Sequence, residues 1–332
     1  MKENILFIHA PMPDTGICAL SVCGNFYADT FTASKKYNVL AFTALSSEEV
    51  INLYEKYQPK IIFYHYGERT TLWMKDKTWK KKINCKHVVL DTDSTQRSVN
   101  NFSPEKFHDF DFYISVDPTL DTEHMTNVFK LNFLRPDVFA PEYVDTGITK
   151  IGFHGGAYPN KGIFELPGYI QEHYDDAEIH FHCPMGFVNS GNSDEELMKN
   201  INIAKSKIYK PGIKFFLTTD IISDQELINR LSQNTVNCYF YTPDPYGQSG
   251  SSINAALSAR RPIAIRKTKP TLSYWNLNPS ICIEENSIKD IIKNGFDPLE
   301  PIYQKFSYSN VCKEFESIVS RILNPSGFYF SI

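Results

Sequence analysis

The sequence predicts an α/β protein made of two halves, each a mostly parallel sheet covered by helices. Three observations predict it. Short apolar runs alternate with helix-period segments, the pattern of parallel strands buried on both faces. A polar, proline-containing stretch, Arg135-Pro136-Asp137-Val138-Phe139-Ala140-Pro141-Glu142, interrupts that alternation, and the alternation then restarts. A chain of 332 residues, 42% of them hydrophobic, is also long enough for two separate cores.

In the first half, apolar runs place strands at Ile5–His9, Val39–Phe42, Lys60–Tyr64, His87–Leu90 and Phe112–Val116. Ser46–Gln58 reads as a helix, with Ser46 as N-cap and Val50, Ile51, Leu53 and Tyr54 on one face. Gly16 is expected to begin another. In the second half, strands are expected at Lys150–His154, Glu178–His182, Lys214–Leu217, Val236–Tyr241, Pro262–Arg266 and Ile281–Glu284. Helices are expected at Asp224–Ser232, Ser251–Ala259 and Ser309–Leu323. The resulting division is a first domain 1–136, a linker 137–148, a second domain 149–305, and a C-terminal helical segment 306–332 packing back towards the first domain.

The totals narrow the classes of function. A net charge of −4 and a pI near 6.2 argue against a general nucleic-acid partner. No apolar run is long enough to span a bilayer, and the start reads as a first buried strand rather than a signal peptide. The seven cysteines are odd in number and scattered, with no CxxC pair. They read as reduced thiols, so a cytoplasmic location is expected. No basic amphipathic helix marks a peripheral membrane association, which stays open.

The chemistry-bearing residues fall at strand ends, where ligands of parallel sheets bind. The loop Gly247-Gln248-Ser249-Gly250-Ser251-Ser252 precedes a helix. Small residues let a ligand approach the backbone there, and a helix start offers unpaired N–H groups and a positive dipole end. Ser249, Gly250, Ser251 and Ser252 are therefore candidates for a phosphate cradle, or else an ordinary serine cap. Gly155 and Gly156 open the backbone after an earlier strand, and Lys161 at that loop's end can bring a mobile positive charge to the same phosphate. The loop Thr219-Asp220-Ile221-Ile222 follows another strand. In the first half, Asp14, His65 and Glu68 can each accept a hydroxyl proton, so they are the candidate catalytic residues. His9, Asp91 and Asp93 are weaker candidates. His180 and His182 share one strand face without an evident third ligand, so no metal site is expected.

This order of parts from Lys150 to Ile265 resembles the donor-binding half of GT-B glycosyltransferases, two Rossmann-like domains facing across a cleft. The similarity is closest to the retaining group marked by Glu, seven residues, Glu. Asn254-Ala255-Ala256-Leu257-Ser258-Ala259-Arg260-Arg261-Pro262 matches the segment that follows, but Tyr246 and Asn254 stand where the two glutamates would be. The resemblance implies that Thr219, Asp220 and Ile221 hold the nucleotide base, and that Asn254 meets the ribose through its amide oxygen. It implies transfer of a sugar from a nucleotide-activated donor to a glycan or other hydroxyl acceptor, in surface polysaccharide or glycoconjugate synthesis. No metal or cofactor is needed, because the nucleotide sugar is itself the substrate. Two alternatives stay open: a glycosyltransferase-like protein that binds without turnover, and a transferase using a nucleoside-monophosphate sugar. An oxidoreductase is disfavoured, since no GxGxxG follows the first strand.

Overall fold

The computed structural model describes residues 2–13, 18–67, 71–75, 78–100, 102, 110–186, 193–243 and 250–324. The chain divides into two compact units. The first holds residues up to Leu134 together with Tyr308 onwards, and the second runs from Arg135 to Ser307.

The first unit is built on a six-stranded, wholly parallel sheet. Its strands are β1 (Asn4–His9), β2 (Asn38–Thr43), β3 (Ile61–Tyr66), β4 (Lys86–Asp91), β5 (Phe112–Ser115) and β6 (Val128–Lys130), in the order β2-β1-β3-β4-β5-β6. β3 is buried at every position, as a strand covered on both faces must be. Helices α1 (Ala19–Thr32) and α2 (Ser47–Tyr57) and the short α3 (Gln96–Asn100) connect the strands. Ser46 caps α2 through its side chain, and Gln58 ends that helix in the left-handed conformation.

The second unit carries a five-stranded parallel sheet ordered β11-β10-β7-β8-β9. Its strands are β7 (Lys150–His154), β8 (Ala177–His182), β9 (Ile213–Thr218), β10 (Val236–Tyr239) and β11 (Ile263–Ile265). Helices α4 (Glu165–His173), α5 (Asp194–Ser206), α6 (Asp224–Ser232), α7 (Ser251–Ser258), α8 (Ile288–Asn294) and α9 (Glu300–Lys305) surround it. The expected strand at Ile281–Glu284 is a single bridge from Ile265 to Cys282. In the stretch 135–142, the Arg135 guanidinium lies 3.7 Å above the Tyr303 ring and its Nε donates to Tyr303 O at 2.9 Å. Gln225 in turn donates to the Phe139 carbonyl.

The last helix, α10 (Tyr308–Leu323), returns to the first unit. Its Val311, Phe315, Ile318, Val319 and Ile322 join that unit's core, and Phe315 stacks on Phe31 with ring centroids 3.9 Å apart. Glu316 accepts from the Ser34 hydroxyl at 2.6 Å, and Glu314 accepts from Asn132.

Candidate functional site

In the second sheet β7 pairs with β8 on one side and β10 on the other. The crossovers leave β7 first towards β9 and later towards β11, so β7 and β10 flank the topological switch point. Open parallel sheets bind ligands outside the carboxyl ends of such strands. The loop after β7 carries Gly155, Gly156 and Lys161, and the chain after β10 leads through Tyr241 to α7. Gly155 has φ +141°, and its N–H donates to His182 O at 3.1 Å. A Cβ there would lie 2.6 Å from Ser252 Oγ, so the loop meets the first turn of α7 almost backbone to side chain. Gly162, at φ +75°, sits against the Phe240 carbonyl, where a Cβ would be 2.0 Å from the oxygen. The spacing from Gly155 to Gly162 thus anchors the lysine loop to the strand end beside it.

Helix α7, like α1, begins differently from α2, α5, α6 and α8. Ser46, Ser193, Ser223 and Ser287 each cap their helices by accepting a backbone N–H, and each of those helices carries an acid in its first turn. The N-cap of α7 is Gly250, with no side-chain cap and no acidic residue in the first turn. A serine cap is therefore not what Ser251 and Ser252 provide. Ser251 is exposed and Ser252 is buried beside Gly155. The Lys161 ammonium lies 4.5 Å from the Tyr241 ring centroid, and the Tyr241 hydroxyl abuts Gly250, 2.7 Å from where a Cβ would stand. A cation, a phenol and an uncapped helix start converge, which is the chemistry of an anion site. Ser249 and Tyr246 lie outside the described residues.

The next strand ends hold a polar network. His154 and His182 are register partners whose rings stack at 5.4 Å. Thr218 Oγ1 lies 2.8 Å from His182 Nδ1, and Arg230 approaches the same nitrogen at 3.5 Å. A guanidinium only donates, so Nδ1 accepts and the proton of the neutral ring sits on Nε2. Burial, reinforced by Arg230, lowers His182 to about 4, and burial with His182 nearby lowers His154 to about 3. Both rings are therefore neutral near pH 7.

Asp220 is gripped by both ends of the Arg230 fork, at 3.2 and 2.8 Å, which holds its carboxyl below the usual range. Its acceptors are engaged within the chain. Thr219 O accepts from Met185 N–H at 3.0 Å, while Ile221 is 51% exposed and offers an apolar face beside that ordered backbone. Asn254 departs from the sequence expectation. It is 1% exposed, and its Oδ1, the atom expected to meet a ribose, accepts from the Tyr274 hydroxyl at 3.0 Å. His180 pairs with Glu178 and stacks on Phe216. Among the described residues no group of three or more His, Cys, Asp or Glu is placed to hold a metal ion.

The first unit has its own switch point between β1 and β3. Asp14 and Glu68, expected there as bases, lie outside the described residues. His65 does not suit the role expected of it. It is 0% exposed beneath α1, with Nδ1 3.0 Å from where a Gly24 Cβ would stand and Nε2 3.4 Å from Thr92 Oγ1. Burial, with His9 alongside, lowers it to about 3. Packed between Gly24 and Thr92, His65 is a core histidine. His9 is likewise buried, against Phe7 and Gly24. Asp91 accepts from Tyr113 Oη at 2.6 Å and from Asp93 N–H at 3.0 Å, which makes it a turn-ordering residue. Sequence reasoning passed over Tyr241, Arg230 and the pairing of His154 with His182. Tyr241 is marked only by its place after a strand, in a chain with 19 tyrosines, and Arg230 lies inside α6.

Comparison with solved structures places this architecture. The N-terminal domain of trehalose-6-phosphate phosphatase from Candida albicans superposes with a TM-score of 0.64 at 9% identity, over 98% of this chain and 97% of that one. The UDP-forming α,α-trehalose-phosphate synthase from Burkholderia xenovorans, in complex with glucose-6-phosphate, gives 0.60 at 8% identity, over 96% and 100%. The E. coli trehalose-6-phosphate structure bound to UDP-2-fluoro-glucose gives 0.63 at 10% identity, over 95% and 98%. No family model matches the sequence, and no curated protein does. At these identities the likeness is one of fold: two parallel-sheet α/β domains of the GT-B plan.

Proposed function

We propose that the protein is a glycosyltransferase that moves a sugar from a nucleotide-activated donor to a hydroxyl acceptor, without a metal ion, in surface polysaccharide or glycoconjugate synthesis. The observation that carries the reading is the uncapped, acid-free start of α7, with Lys161 beside it, at the switch point of the second sheet. Full-length similarity to structures holding UDP-2-fluoro-glucose or glucose-6-phosphate supports it.

In the reaction, the acceptor oxygen bonds to the anomeric carbon, the bond from that carbon to the donor phosphate breaks, and the acceptor proton leaves to a base. Negative charge grows on the departing phosphate. Helix N–H groups and an ammonium aimed at that charge stabilise it without reorganising, the task a divalent cation performs elsewhere. Lys161 and the first turn of α7 fill that role here. Ile221 and the backbone around Thr219 form the base-binding surface. Asp14 and Glu68 are the candidate bases.

A second reading, binding without turnover, is favoured by one observation: the candidate base among the described residues, His65, is sealed in the core. Thermal-shift measurement with UDP, GDP, ADP, dTDP and CMP, each with and without magnesium, tests the proposal. A ligand that binds only the native state raises its melting temperature. A shift with one nucleoside diphosphate that does not require magnesium is the expected result. No shift with any of the five would remove the donor site, and a shift with CMP alone would replace a diphosphate donor with a monophosphate one. A nucleotide-dependent shift without donor hydrolysis or transfer would favour binding without turnover.

A further inference from the structure

The buried hydroxyls of the second unit that make no hydrogen bond include those of Tyr174, Tyr239 and Tyr241, and that of Tyr241 lies against the start of α7. The residue is 1% exposed, yet its Oη makes no hydrogen bond. Leaving a buried hydroxyl unpaired is costly, and a fold keeps such a group where something outside the apo chain completes it. Three neighbours indicate what that is. The Oη faces Gly250, the residue that begins α7 without a side-chain cap. The Lys161 ammonium is held 4.5 Å from the centre of the same ring. Ser252, in the first turn of the same helix, lies against Gly155, its Oγ 2.6 Å from where a Cβ would stand. Lys161 brings a positive charge, the start of α7 brings backbone N–H groups, and no carboxylate stands in the first turn of α7.

We propose that Tyr241 is a phosphate ligand: its Oη donates to an oxygen of the donor's phosphate group when that group sits at the start of α7. The inference rests on the donor-binding reading above and gives it a specific neutral donor. The ring also serves Lys161, because the π-face steadies the ammonium over the site and spares it the entropy of a free side chain.

The test is Tyr241→Phe in the full-length protein, probed with sodium pyrophosphate and UDP. Phenylalanine keeps the ring, the packing and the lysine contact and removes only the unpaired hydroxyl. Two results are expected together. The melting temperature without ligand stays level or rises, because an unsatisfied buried group has gone. The dissociation constant for pyrophosphate rises on the order of ten-fold, the worth of a hydrogen bond to a charged partner. Unchanged pyrophosphate and UDP affinity in the variant would overturn the assignment while leaving the donor site standing. So would a fall in the unliganded melting temperature with unchanged affinity, which would show that the hydroxyl serves the fold. If the wild-type protein binds neither probe, the donor-site reading itself fails and takes this assignment with it.

Discussion

Lys161 and Gly162 are neighbours in sequence and answer to different demands. Gly162 is fixed by geometry, since its positive φ and the Phe240 carbonyl leave no room for a side chain. Lys161 is fixed by nothing in the core. It is half-exposed, and among the described residues its ammonium meets a ring face rather than a carboxylate, so the fold does not need its charge. Lys161→Ala is accordingly expected to leave the melting temperature within about 2 °C of the wild type. Nucleotide affinity should fall about ten-fold, the worth of a charged phosphate contact. Isothermal titration of both proteins checks this, and equal affinities would place the lysine outside the site. At this scale the sequence was legible where chemistry is local: a glycine pair, a lysine at a loop end, a serine run before a helix. It was illegible where a side chain's meaning depends on which way it points. Asn254 and His65 have residue types suited to binding and catalysis, but the one turns inward to Tyr274 and the other lies beneath Gly24.

Helix α7 shows what a whole element contributes. Its start lacks the acid that complements the dipole in α2, α5, α6 and α8, so the positive end is left for an external anion. Ser251→Asp places a carboxylate there. The substitution is expected to raise the melting temperature slightly, since an acid in a helix's first turn contributes roughly 0.3–1 kcal/mol. The same charge should abolish nucleotide binding by repelling the phosphate. A variant that is more stable and yet binds normally would detach α7 from the donor site. The strands and this helix were readable because buried parallel strands write continuous apolar runs and α7 follows a small-residue loop. α4 escaped notice because Pro167 and Gly168 lie inside it, and Pro167 is tolerated in a first turn that has no N–H partner to lose. The supposed strand at Ile281–Glu284 has the right composition but meets its neighbour through one bridge.

Across the whole molecule, neutral histidines are stored in the interior. His65 and His154 are lowered to about 3, His87 and His182 to about 4, each chiefly by burial. An unfolded histidine titrates near 6.5, so between that pH and about 4 the unfolded chain binds more protons than the folded one. The stability of these sites is full above about pH 6.5 and is lost as pH falls through that window, by about 1.4 kcal/mol per unit for each histidine. The urea midpoint is expected to drop steeply from pH 7 to pH 5, and a flat profile would mean that the rings titrate normally in the fold. The two-unit α/β plan was legible at this scale, because the pattern of strand and helix repeats after residue 142. The absence of exposed charge on these histidines was not, because burial is a property of the assembled fold.

The return of α10 gives the chain an unusual history as it leaves the ribosome. The first unit's core includes Val311, Phe315 and Ile322, which follow the second unit in the chain, whereas the second unit is complete by Ser307. The first unit is thus closed only after the whole second unit has been made. Until α10 emerges, Phe31 lacks the ring that stacks on it, so the nascent chain carries an open apolar face while the second unit is being made.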